Sequence, residues 1–98
     1  MQRGGSGAAK SWFVYLVRCA DGTLYTGCTT DVIRRVREHN SSPRGAKYTR
    51  SRRPVRLVAS FPCENRSEAL REEIRIKRLT REQKLRIITG GREVEDNS

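Results

Sequence analysis

Residues 12–28, WFVYLVRCADGTLYTGC, predict a β-hairpin that decides the fold. Residues 12–19 are mostly β-branched, aromatic or aliphatic on both faces, which is typical of a buried strand. Ala20-Asp21-Gly22 is a turn signal, and residues 24–28 form the returning strand.

Two registers fit this hairpin. A three-residue loop with Gly22 at positive φ sets Val17 opposite Tyr25, so that Tyr15 and Tyr25 share one face of the sheet. A two-residue Asp-Gly turn would place the two tyrosines on opposite faces.

A helix ending near His39 follows the hairpin, with Thr29 or Thr30 as its cap and Asp31 in its first turn. At about 100° per residue, Arg35 and His39 fall on the same arc as the two valines of this helix. Each has an ordinary structural explanation. The aliphatic stem of Arg35 can pack inward while its guanidinium reaches solvent, and His39 can be a hydrogen-bonded histidine at a helix end. Together, one turn apart on the inward edge, they suggest a site.

A second helix, from about residue 65 to 79, carries a carboxylate within its apolar stripe. The stripe consists of Ala69, Leu70, Ile74, Ile76 and Leu79. Glu73 lies about 40° from Ala69, near the middle of the stripe, whereas Glu72 lies toward its edge. A buried carboxylate is costly unless it is paired or binds a cation. An ion pair, for instance with Arg35, and a ligand for Mg²⁺ fit the spacing equally well.

The remaining stretches complete the element order β-β-α-β-α-α. Residues 55–61 predict a third strand, and Thr80 with Gln83 forms a capping box for a third helix over about residues 81–89, which ends at Gly90-Gly91. We therefore expect an α+β fold, a small mixed or antiparallel three-stranded sheet flanked by helices. Residues 1–10 are expected to be a flexible leader, residues 11–89 the domain, and residues 90–98 a flexible acidic tail.

Composition narrows the class of protein. The chain has 98 residues and a formal charge of +10, which fits one small domain. It has no apolar run near the ~20 residues that span a bilayer, so no membrane partner is expected. Three widely spaced cysteines and one histidine argue against a disulfide framework and a zinc site. We expect a cytoplasmic, nucleoid-associated protein with reduced thiols.

Most of the net charge lies in one segment. Nine basic residues and a single acid, Glu38, lie between Arg34 and Arg56. Such a block attracts a polyanion, and arginine forks suit phosphate. The residues predicted to bind nucleic acid are Arg34, Arg44, Lys47, Arg50, Arg52 and Arg53.

Four motif blocks in order resemble the GIY-YIG nuclease superfamily, also called the URI domain, and its small stand-alone bacterial branch in particular. Phe13-Val14-Tyr15 and, after nine residues, Tyr25-Thr26-Gly27 resemble its paired signature. The helix with Arg35 and His39 is similar to its arginine-bearing helix, and the helix with Glu73 to its metal-binding helix. The likeness covers roughly residues 12–88.

The resemblance implies metal-assisted hydrolysis of a DNA phosphodiester. Glu73 would coordinate a single divalent cation, Mg²⁺ or Mn²⁺. Arg35 would hold the scissile phosphate and stabilise its developing charge. A cation and a guanidinium suit a transition state whose negative charge grows.

The resemblance also implies roles for the aromatic residues of the site. Tyr15 and Tyr25 would line it, with one of them orienting or deprotonating the attacking water, and His39 would assist. Gly27 would permit close approach at the strand end. Where many relatives have lysine after the second motif, this chain has Cys28.

The sequence therefore predicts a divalent-metal-dependent endonuclease acting on DNA, structured or branched, with little sequence specificity. RNA is a second possible substrate, and a protein partner or self-association would help targeting. The alternatives are a non-catalytic nucleic-acid-binding module on the same fold and a basic accessory protein. The full set of Tyr15, Tyr25, Arg35, His39 and Glu73 favours the enzyme.

Overall fold

The computed structural model describes residues 11–96, with side chains described for residues 11–88. The predicted leader, residues 1–10, and the last two residues lie outside this range. The elements are β1 (Trp12–Arg18), β2 (Leu24–Thr29), α1 (Val32–Ser41), α2 (Lys47–Arg50), β3 (Arg56–Cys63), α3 (Arg66–Lys77) and α4 (Arg81–Asp96).

The three strands form one antiparallel sheet in the order β2-β1-β3. The α+β fold and the order of the main elements are confirmed. The one addition is α2, a single turn of helix within residues 40–53, which were predicted to be a loop.

The hairpin adopts the register of the three-residue loop. Val17 pairs with Tyr25 and Tyr15 pairs with Gly27 across the ladder. Gly22 has a φ of 87°, the left-handed conformation that this loop requires and glycine tolerates. Tyr15 and Tyr25 therefore share one face of the sheet, as the three-residue loop predicts.

Each face of the sheet has its own apolar cluster. On one face, Tyr15, Val17, Cys19 and Val55 are buried under α1. On the other face, Val14, Leu16 and Cys63 pack against α3 and α4, through Ala69, Ile76, Ile87 and Ile88. Successive side chains of β1 thus point to opposite faces of the sheet, and each face is covered by helix.

The ends of α1 differ from the prediction. Its N-cap is Asp31 rather than a threonine, because the Asp31 carboxylate accepts a hydrogen bond from the backbone N–H of Arg34 at 3.0 Å. At the other end, the Asn40 amide exchanges two hydrogen bonds with the Val55 backbone, at 2.7 and 3.0 Å. Asn40 thereby ties α1 to the start of β3.

Two features of the last helices were predicted wrongly. Ile74 is 51% exposed, because the narrow sheet covers only the stripe of α3 that carries Ala69 and Ile76. The last helix continues through Gly90-Gly91 to Asp96, since glycine weakens a helix without having to end it. The capping box of Thr80 and Gln83 is confirmed. No helix in residues 11–96 is long and apolar enough to cross a membrane.

Candidate active site

A buried hydrogen bond joins the sheet to α1. The Tyr15 hydroxyl lies 2.7 Å from Nε2 of His39, and neither side chain is more than 1% exposed. The Tyr25 ring meets the His39 ring edge-on, with centroids 5.3 Å apart. The two tyrosines and the histidine, predicted to belong to one site, do lie together.

The far side of His39 is held by the loop before β3. Its Nδ1 lies 3.0 Å from the Thr49 hydroxyl, which donates to the Ala46 carbonyl at 2.9 Å. The Ala46 N–H also approaches Nδ1, at the longer distance of 3.3 Å. Both ring nitrogens are thereby engaged, Nε2 by the Tyr15 hydroxyl and Nδ1 by Thr49 and Ala46.

Burial keeps both ends of this hydrogen bond neutral at pH 7. It lowers the pKa of His39 to about 4, and the nearby Arg35 cation adds to this effect. Burial also raises the pKa of Tyr15 well above its usual value, against the opposing influence of Arg35. The resting site therefore contains a phenol and a neutral imidazole.

Arg35 lies beside Tyr15, on the inward edge of α1 as predicted. Its Nη1 donates to the Glu38 carboxylate at 2.9 Å and to the Arg44 carbonyl at 2.8 Å. Glu38 is only 21% exposed because its carboxylate reaches back to this guanidinium. The guanidinium also interacts with the Tyr15 hydroxyl, and its planar fork suits a ligand such as phosphate.

Gly27 makes room for the Tyr15 ring. A Cβ at this position would lie 2.5 Å from the Tyr15 hydroxyl oxygen and 2.8 Å from Cζ. Any side chain would therefore displace Tyr15 from His39. Gly27 lies on β2, an edge strand of the sheet.

Glu73 reaches the same edge from the opposite face of the sheet. Its side chain is 16% exposed, with one oxygen accepting from the Cys28 thiol at 3.3 Å and the other paired with Lys77 at 2.9 Å. The partner of Glu73 is thus Lys77, one helical turn along α3, and not Arg35. The Glu73 carboxylate is close enough to contribute to the raised pKa of Tyr15.

A divalent cation would find one carboxylate here. No group of three or more His, Cys, Asp or Glu side chains with metal-binding geometry occurs in the described residues. Mg²⁺ commonly binds one or two carboxylates and completes its shell with water and substrate phosphate. A single carboxylate at the edge of the sheet fits such an ion, and Glu73 would hold it.

The basic residues predicted to bind nucleic acid divide into two groups. Arg34, Arg44, Lys47 and Arg50 are exposed, and none forms an ion pair within residues 11–88.

The side chains of Arg52 and Arg53 make contacts within the domain. Arg52 lies over the Tyr48 ring at 3.9 Å and pairs with Asp21. Arg53 donates to the last carbonyls of α1, at His39 and Ser42.

Two residues that contact the site were missed from the sequence. Thr49 lies in a basic segment that was predicted to be a loop, where no periodicity marks an inward side chain. Lys77 was available in principle, because it lies four residues after Glu73 and such pairs meet on a helix. Arg35 was named as the example of an ion-pair partner instead.

Comparison with known proteins agrees with this geometry. Residues 11–86 match the model of the GIY-YIG catalytic domain, and the chain belongs to the GIY-YIG family. A catalytic domain of this family indicates a nuclease, a hydrolase whose substrate is nucleic acid.

Similar proteins are known from several bacteria. The chain is 63% identical over 70 residues to the UPF0213 protein DP2720 of Desulfotalea psychrophila, a match covering 71% of this chain and 64% of that one. It is 51% identical over 81 residues to a UPF0213 protein of Cronobacter sakazakii, covering 83% and 84% of the two chains. A solution NMR structure of the UPF0213 protein BH0048 from Bacillus halodurans superposes with a TM-score of 0.52 at 46% identity, covering 81% and 83%.

Gly27→Ala should displace Tyr15 from His39. The added methyl group would meet the phenol at 2.5 Å, and relief of such overpacking typically costs about 1–3 kcal/mol. Urea denaturation and the imidazole NMR signals of His39 measure the two effects. The control is Gly22→Ala, which strains the turn backbone but has open space around it, and should leave the His39 signals unchanged. Unaltered His39 signals in Gly27→Ala would contradict the close packing.

The stability of the protein should fall as the pH drops from 6.5 toward 5. The pKa of His39 is about 4 when folded and near 6.5 when unfolded, so the unfolded chain binds the extra proton in this window. The loss is at most about 1.4 kcal/mol per pH unit. Urea titrations at pH 5–7 should show the slope, and His39→Gln should remove it because the chain has one histidine. An equal slope in both proteins would show that His39 is not buried as a neutral ring.

Proposed function

We propose that the protein is a divalent-metal-dependent endonuclease that hydrolyses DNA phosphodiester bonds by in-line attack of water. The observation that carries this proposal is the meeting of four groups at one sheet edge. These are the buried Tyr15–His39 pair, the Arg35 guanidinium and the Glu73 carboxylate. A protein that only binds nucleic acid gains nothing from an inward carboxylate, which repels phosphate.

Arg35 binds the scissile phosphate in this proposal. Two contacts, to Glu38 and to the Arg44 carbonyl, hold its guanidinium against α1 before any ligand arrives. A preorganised cation stabilises charge that develops in the transition state, without a further cost of reorganisation. Arg34, the adjacent residue, is exposed and contributes only to general attraction.

Tyr15 orients the attacking water. Its hydroxyl is held in place by the hydrogen bond with His39, so the phenolic oxygen is positioned to hydrogen-bond a water molecule. His39 is held in turn by Thr49, which makes Thr49 a positioning residue. Because burial depresses the pKa of His39, the imidazole serves to fix the phenol and is a weak acceptor of its proton. Tyr25 lines the other side of the site.

Glu73 holds the cation in this proposal. Its carboxylate leaves Lys77 and Cys28 when the cation binds. When bound, a divalent cation supplies positive charge next to the phosphate as its negative charge grows. Release of Lys77 from Glu73 leaves an ammonium group at the same edge, where it can face the nucleic acid.

The substrate is proposed to be structured or branched DNA, read by shape and charge. The domain is small, and exposed cations on α1 and the segment that follows, among them Arg34, Arg44 and Lys47, form a surface suited to phosphate rather than to base edges. The same proposal includes RNA as a second substrate, a protein partner for targeting and a location at the nucleoid. Cleavage assays on DNA and RNA substrates show which nucleic acid is cut.

The test compares Glu73→Gln with Glu72→Gln on labelled linear, flapped and four-way DNA and on RNA, with Mg²⁺, Mn²⁺ or EDTA. Glu73→Gln should abolish metal-dependent cleavage while staying folded by circular dichroism, because it removes a mostly buried charge without creating one. Glu72 pairs with Arg75 and is more exposed than Glu73, at 39% against 16%, so Glu72→Gln should cleave nearly as well as the parent.

Absence of cleavage by the parent on every substrate, together with binding that EDTA does not affect, would support the non-catalytic module instead. Cleavage by Glu73→Gln would refute the assignment of the metal ligand.

Arg35→Gln and Arg34→Gln remove the same charge from neighbouring positions of α1. Arg35→Gln should lower the cleavage rate by about 10²-fold or more, as loss of a preorganised group at the reacting phosphate does. Arg34→Gln should weaken binding about two- to fourfold at 0.1 M salt with an unchanged rate at saturation. Single-turnover cleavage separates the two effects. Equal losses of rate would mean that Arg35 has no special contact with the phosphate.

A further inference from the structure

A β-bulge in β3 sets two arginines opposite each other at the end of the sheet. The ladder between β1 and β3 shifts register between Leu16 and Val17, so that Leu16 pairs with Ala59 but Val17 pairs with Leu57. Arg18 is therefore opposite Arg56. Without the extra residue, Leu57 would stand opposite Arg18.

Two like charges at directly opposed positions destabilise an antiparallel pair. Both arginines are exposed, and neither forms an ion pair or side-chain hydrogen bond with another residue of the described range. The nearby carboxylate of Asp21 is already paired with Arg52. The repulsion is therefore left uncompensated within residues 11–88.

The two arginines flank a cleft of about 480 Å³. Buried Cys19 and Val55 lie at its base, and exposed Ala20 and Pro54 lie along its rim. The backbone N–H of Ala20 donates to the carbonyl of Arg52, which joins this rim to the basic loop. The cleft thus lies at the end of the sheet, next to the basic loop.

We propose that Arg18 and Arg56 form a clamp for a phosphate of the nucleic-acid backbone, outside the catalytic centre. The clamp rests on the proposed function for the identity of its ligand. A phosphate between the two guanidinium forks relieves their repulsion and accepts charge-assisted hydrogen bonds from both. A bulge that brings two cations together is explained by an anion that they share.

The position of the clamp suits a nucleic acid that extends past the active site. Arg18 follows Tyr15 by three residues along β1, about 10 Å, so its side chain leaves the opposite face of the sheet, the one that faces α3. A nucleic acid held by the clamp therefore passes the end of the sheet, at about three nucleotides of duplex rise from Tyr15. It ends its strand beside the hairpin turn, where Arg52 also lies. The clamp adds affinity and register on the DNA, and the chemistry stays with Arg35 and Glu73.

The test is a double-substitution cycle with Arg18→Gln, Arg56→Gln and both together, with Arg86→Gln as the matched control. Arg86 is an exposed arginine of α4, far along the chain from the cleft. In the free protein, the two substitutions together should gain less stability in urea than the sum of the single effects, because either one removes the repulsion. Additive effects on stability would overturn the like-charge pair.

Binding is then measured without metal on an uncleaved labelled duplex, over a range of salt. Each substitution should weaken binding about three- to tenfold and flatten the log–log salt slope by about 0.9, whereas Arg86→Gln should leave the slope unchanged. Slopes equal to that of Arg86→Gln would overturn the clamp, as would a parent protein that fails to bind the duplex at low salt. Inorganic phosphate is the second probe, and loss of its binding alone would indicate a site for free anions instead.

Cleavage distinguishes failure of the clamp from failure of the proposed function. At saturating DNA with Mn²⁺, Arg18→Gln and Arg56→Gln should retain the turnover of the parent while needing more DNA to reach it. Loss of turnover at saturation would place these arginines in the chemistry and overturn the clamp. A parent that binds through the two arginines but never cleaves would refute the nuclease proposal and leave the clamp standing.

Discussion

The 2.7 Å hydrogen bond between Tyr15 and His39 is the contact on which the rest of the site depends. It joins the central strand to α1, and it forms only because the hairpin register turns Tyr15 toward that helix. A shift by one residue would send Tyr15 to the opposite face and leave His39 buried without its partner, which is costly. The turn at Gly22 and the chemistry proposed for the site are therefore linked through one register.

The site is assembled from both faces of a sheet that is only three strands wide. Tyr15, Tyr25 and Arg35 approach from the α1 side, and Glu73 approaches from the α3 side. A wider sheet would separate these groups, whereas here the β2 edge and the bare backbone of Gly27 let them meet. The small size of the domain is thus compatible with the site proposed for it.

The sequence predicted the fold and the inward residues well, because both depend on local periodicity. The arc shared by Arg35 and His39, and the position of Glu73 about 40° from Ala69, follow from helical phase alone. What periodicity does not encode is the partner on another element: the Cys28 thiol on Glu73, and Arg53 on the end of α1. Ile74 was placed wrongly because phase gives the direction of a side chain but not the width of the surface that covers it.

The contacts of Glu73 have a consequence for the way this domain meets its environment. Lys77 and Cys28 satisfy both carboxylate oxygens, so the fold has no need of an ion to remain intact. In the proposed mechanism the cation would then bind and leave with the substrate, unlike the structural zinc of a small finger domain, whose loss unfolds the chain. Removal of the metal would inactivate the proposed enzyme without unfolding it and exposing it to proteolysis. Activity would return when the ion is restored.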